Sequence, residues 1–116
     1  RGEWRTLLAL ALRCAEDAEK AIVGEEAFLR RATLANRING ASATVFEREV
    51  GAAAADVAAG FIRTVQAFAR STTTPALRVE LAGLVRQSAG FLDQRLTDKA
   101  REDFQRAHQG RPEVWG

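Results

Sequence analysis

Apolar residues recur at steps of three and four along most of the chain, which is the spacing of one face of an α-helix. Over residues 3–23 this stripe consists of Leu8, Ala11, Leu12, Ala15, Ala18 and Ile22. Glycine is common just past a helix end, so Gly24 predicts a break; one long helix running through it is the alternative. A second helix is predicted over residues 25–38, ending at Asn39 and Gly40, which both tolerate the left-handed conformation.

The third predicted helix follows a short polar turn over residues 40–44. Thr44 and Glu47 have the spacing of a capping box, in which Thr44 caps the helix and Glu47 occupies its third position. The apolar stripe then continues without an obvious stop to about Arg70. The pattern therefore predicts one helix about 40 Å long, at about 1.5 Å per residue.

A fourth helix is predicted after residues 71–74, where Pro75 suits the first helical position and Thr74 its cap. Its apolar residues begin at Leu77. The pattern either continues to Ala107 or hinges at Thr97 and Asp98. The helix is expected to end at Gly110 and Pro112, both of which are unfavourable to its continuation.

Together these patterns predict an all-α fold, an up-down antiparallel bundle of three to four helices joined by short turns. Alternation with period two, the signal of a β-strand, is missing over any useful length. The 116 residues suit one domain, which we place at residues 1–110, with a C-terminal tail at 111–116 in which Trp115 is a candidate docking anchor.

Composition supports a folded helical chain. Hydrophobic residues make up 47% and charged residues 28% of the sequence, a balance that excludes a disordered chain. Alanine, the best helix former, accounts for about a fifth. Arginine far outnumbers lysine, as is common in GC-rich bacterial genomes, and the longest apolar run is too short to span a bilayer. We therefore expect a soluble, cytoplasmic bacterial protein that does not bind membranes.

Few residues suggest chemistry. Cys14 is the only cysteine and His108 the only histidine, so neither the ligand clusters of a metal site nor a nucleophile paired with a base is recognisable. We expect no metal, no cofactor and no catalytic residues. Cys14 is predicted to be a small buried or half-buried apolar residue, and His108 a cation that suits the C-terminal end of a helix.

Arg101 and His108 are seven residues apart and project from the same helical face. This spacing resembles the Arg-x4-6-His motif of HEPN ribonucleases, which are helical bundles of similar size. The resemblance covers these two residues only, and Glu102 stands where that family usually has a small polar residue. It implies RNA cleavage by a symmetric dimer that brings two such motifs together.

A basic patch offers a second alternative function. Its residues are Arg30, Arg31, Asn36, Arg37 and Asn39. Clustered arginines can contact phosphates, which would suit a helical subunit of a nucleoprotein complex. However, Glu25 and Glu26 lie close by, and the formal net charge is only +2.

The leading hypothesis is a non-catalytic interaction, adaptor or structural domain, which binds a protein partner or its own copy through a helix face. The third helix contains an unusual run of alanine and glycine that would let another backbone approach closely. A tight contact inside the bundle is the alternative use of that run. The residues predicted to contact a partner are Gly51, Ala52, Ala55, Ala59 and Gly60.

Overall fold

The computed structural model describes residues 2–70 and 74–109, and over these residues the chain is all-α. It forms five helices, at least one more than the pattern predicts. They are α1 (Gly2–Glu19), α2 (Glu25–Asn39), α3 (Ala43–Val50), α4 (Ala52–Arg70) and α5 (Pro75–Gln109).

The predicted break between the first two helices is confirmed, but α1 ends at Glu19 rather than at residue 23. Ala21 adopts a left-handed conformation with φ 54°. The Ile22 amide donates to the Asp17 carbonyl at 2.8 Å, and the Ala21 amide donates to the Ala18 carbonyl at 3.2 Å. This pattern is a Schellman motif, which satisfies the last carbonyls of α1. Because the position is normally glycine, Ala21 gives no sequence signal for it.

The prediction of one helix from Thr44 to Arg70 is wrong. Gly51 separates α3 from α4 and has φ 104° and ψ 160°, which interrupts the helical hydrogen bonds. The capping prediction is wrong as well, because Ser42 is the N-cap and its side chain accepts from the Val45 amide at 3.4 Å. Thr44 lies inside the first turn of α3.

The last helix begins at Pro75 as predicted, and it continues through Thr97 and Asp98 without a hinge. At about 1.5 Å per residue its 35 residues extend about 52 Å. Residues 100–107 are all exposed, so this end of α5 projects beyond the other helices. Gly110, Pro112 and the predicted tail with Trp115 lie outside the described residues.

The core receives fully buried side chains from all five helices, among them Leu8, Leu34, Phe46, Phe61 and Leu92. The Trp4 and Phe46 rings meet edge to face with centroids 4.5 Å apart, which joins α1 to α3. Helix α5 packs against both α1 and α4. Among the described helices, none is both long enough and apolar enough to cross a bilayer.

Candidate protein-interaction site

A surface groove with a volume of about 410 Å³ lies between α4 and α5. Helix α4 lines it with Val57, Gly60, Phe61 and Thr64. Helix α5 lines it with Leu84, Gln87, Ser88 and Phe91. We call these eight residues the α4/α5 groove. None of them carries a charge, although 28% of the chain is charged.

Two large apolar side chains border the groove on the α5 side. Leu84 is 48% exposed and Phe91 is 46% exposed. They are seven residues apart and therefore share one face of the helix. The opposite wall contains Gly60, where an added Cβ would meet only the end of the Arg63 side chain, at 4.0 Å. The groove thus has room beside Gly60 for a side chain from another molecule.

Of the five residues predicted to contact a partner, only Gly60 lines this groove. Ala52, Ala55 and Ala59 are three and four residues apart, so they share another face of α4. Gly51 lies between α3 and α4 and is exposed. The structure therefore does not bring the five residues together on one surface.

The close helix contact in the alanine-rich run is made by different residues. Ala54 and Ala58 are almost completely buried and pack in the core. The apolar pattern of the predicted fourth helix, which begins at Leu77, does not show that Leu84 and Phe91 lie at the surface. A second apolar face is indicated by the heptad spacing of Leu77, Leu84 and Phe91. These residues are offset by one position from the stripe that contains Val85 and Leu92.

Two other depressions contain charged side chains. One, of about 350 Å³, is lined by residues that include Glu3, Trp4 and Arg37. The other, of about 240 Å³, includes Asp17 and Arg31. Charged residues are depleted at the centres of protein interfaces, so the α4/α5 groove is the better candidate for burial against another protein.

A partly buried ion pair involves one residue of the predicted basic patch, Arg30. The Arg30 guanidinium donates two hydrogen bonds to the Asp17 carboxylate, with N–O distances of 2.8 and 2.9 Å. Asp17 is only 6% exposed. The hydrogen bond to Asp17 raises the pKa of Arg30 above its ordinary value. Arg30 therefore links α2 to α1 through Asp17. Because its guanidinium is engaged in this pair, Arg30 is less available to bind phosphate.

The thiol of Cys14 is buried in the core, as predicted. Burial raises its pKa to about 11, and the negative charge of Asp17 contributes in the same direction. A raised pKa means that the folded chain holds this proton more tightly than the unfolded chain does. Such a thiol is a poor nucleophile at neutral pH.

We therefore expect the free energy of unfolding to fall between pH 9 and 11 because of Cys14. Below the ordinary pKa of 9.0 the stabilisation is complete, and it is lost as the pH rises toward about 11. Urea denaturation of the native chain and of Cys14→Ala at pH 8 and pH 11 measures the effect. The difference in the free energy of unfolding between the two chains separates the contribution of Cys14 from that of the lysines and arginines. An identical loss of stability in both chains would contradict the prediction.

The Arg101 and His108 pair lies on the projecting end of α5. Nδ1 of His108 is 2.9 Å from the Phe104 carbonyl oxygen, and its ring stacks against the Phe104 ring at 4.1 Å. Arg101 is 3.9 Å from the Asp98 carboxylate. Both residues thus have local partners on their own helix. The described residues contain no group of three or more His, Cys, Asp or Glu side chains that could hold a metal ion.

In comparisons with known proteins, the chain matches no protein-family model, no curated protein and no solved structure.

Proposed function

We propose that this chain is a non-catalytic interaction domain that binds protein through the α4/α5 groove. The proposal rests mainly on one observation: Leu84 and Phe91 are half exposed along the α5 wall of an uncharged groove, opposite Gly60 on α4. A bound surface would cover these two side chains and remove their apolar area from water. Each Å² of apolar area removed is worth about 25 cal/mol, before the cost of association is subtracted.

The fold supports this use of the groove because its two walls belong to long, packed helices. Arg5 pairs with Asp93 at 3.1 Å, and Arg86 pairs with Glu19, so α1 and α5 run in opposite directions. These contacts support an antiparallel bundle. The groove walls are also held in the core, by Phe61 of α4 and Leu92 of α5, so binding there has little backbone to order, which lowers its entropic cost.

Replacement of Gly60 by leucine is expected to block protein binding without unfolding the chain. Almost nothing lies within 4 Å of a Cβ at this position, and leucine is the better helix former by up to about 1 kcal/mol. The new side chain would occupy the space beside Phe61. The measurement is photo-cross-linking in cells that produce the protein, from a diazirine-bearing side chain placed at Ser88, in the native and Gly60→Leu backgrounds.

Gly90 supplies matched controls. It is exposed, has nothing within 4 Å of an added Cβ, and is two residues from Ser88, which turns it to the opposite face of α5. We expect specific protein adducts from Ser88 and few from Gly90. Gly90→Leu should leave the Ser88 adducts unchanged, whereas Gly60→Leu should remove most of them. Equal adduct formation from both faces would contradict the proposed function.

A further inference from the structure

Four residues along one side of α5 form a symmetric pattern: Glu80, Leu84 and Phe91 are exposed, and Arg95 is half-buried beside the end of α3. Glu80 is four residues before Leu84, and Arg95 is four residues after Phe91. At 100° per residue, all four positions fall within an arc of about 60°. From residue 80 to residue 95 this face is therefore acidic, apolar, apolar and basic over about 22 Å of helix, and Leu77 and Asp98 continue it at the two ends.

The order of these four residues is self-complementary. When two such helices lie antiparallel, each charged residue meets one of opposite charge and each apolar residue meets an apolar one. The pair Glu80 and Arg95 and the pair Leu84 and Phe91 share one midpoint, between Gln87 and Ser88. If a second α5 is laid antiparallel across that midpoint, each Glu80 meets an Arg95 and each Leu84 meets a Phe91. A two-fold axis makes every such contact twice.

We propose that the occupant of the α4/α5 groove is a second copy of this chain, bound through antiparallel pairing of the two α5 helices. This inference rests on the proposed function and names its partner. Leu84 of each copy packs beside Phe91 of the other. Glu80 and Arg95 form ion pairs at both ends of the apolar contact.

The two charged side chains differ in how accessible they are to a second copy. Glu80 is exposed on α5. Arg95 is half-buried and donates one hydrogen bond to the Val50 carbonyl at 3.3 Å. A guanidinium has five N–H donors, so this bond leaves others for a carboxylate. Complementary charges at the rim fix the direction and register of an interface more than they add affinity.

The test is the mass in solution of the purified full chain, measured by sedimentation with increasing protein concentration. One chain has a mass of 12.6 kDa, and we expect a dimer of twice that mass. Glu80→Arg alone and Arg95→Glu alone each place like charges together twice, and each should raise the dissociation constant at least about tenfold. The double variant exchanges the charges and should restore association to within about threefold of the native chain.

Glu25→Arg, at an exposed position in the first turn of α2, is the control and should leave the dissociation constant unchanged. Register is checked in a Cys14→Ala background, where Ser88→Cys should form an intermolecular disulfide and Gly90→Cys should not. A native chain that stays monomeric at about 100 μM overturns the proposal. Single variants that weaken association without rescue by the double variant also overturn it. If the chain is monomeric but Ser88 still cross-links to a different protein, the proposed function stands and only self-association is wrong.

Discussion

Phe46→Ala is expected to lower the free energy of unfolding by about 3–5 kcal/mol, the usual cost of truncating a buried phenylalanine. The Phe46 side chain is completely buried and contacts the Trp4 ring edge to face. Its removal leaves a cavity where α3 meets α1. Because a domain of this size has a total stability of about 5–15 kcal/mol, the change should shift the urea midpoint substantially.

Phe104→Ala is the matched control, because it removes the same side chain from a position that is 64% exposed. Its effect on the free energy of unfolding should stay within about 0.5 kcal/mol. Urea denaturation followed by circular dichroism measures both variants. Similar losses for the two variants would show that the described core is wrong at α3.

Gly51→Ala is the second large expected effect, a loss of about 1–3 kcal/mol. Gly51 has φ 104° and ψ 160°, a backbone conformation that side chains with a Cβ rarely adopt. No atom lies within 4 Å of the added Cβ, so the cost comes from the backbone alone and not from a clash. The chain would have to strain the turn or rearrange α3 against α4.

Gly90→Ala is the same substitution made in the interior of α5, where the backbone is helical. There alanine is the better helix former, so the free energy of unfolding should rise by up to about 1 kcal/mol. The two substitutions are therefore expected to have opposite signs in the same urea denaturation experiment. A stabilised Gly51→Ala chain would mean that α3 and α4 are one helix, as the sequence pattern alone suggests.

The sequence alone was sufficient to predict the helical class, the start of the last helix at Pro75 and the burial of Cys14. These features depend on local spacing and on residue type. The split at Gly51 was missed because the apolar stripe continues on both sides of it. The early end of α1 was missed because Ala21, not a glycine, adopts the left-handed conformation.

The candidate site was harder to predict for a different reason. Periodicity shows that Leu84 and Phe91 lie on an apolar face, but not which apolar face the other helices cover. That depends on tertiary packing, which buries Val85 and Leu92 and leaves their neighbours at the surface. Glycine and alanine content pointed to α4, and Gly60 does line the groove. The large side chains that border it belong to α5.

The most direct test of protein binding through the α4/α5 groove is the cross-linking yield from Ser88, compared between the native chain and Gly60→Leu. Binding there predicts a specific protein adduct in the native chain that largely disappears when leucine occupies the space beside Phe61. An adduct of undiminished yield in Gly60→Leu, or no adduct from Ser88 in the native chain, would contradict it.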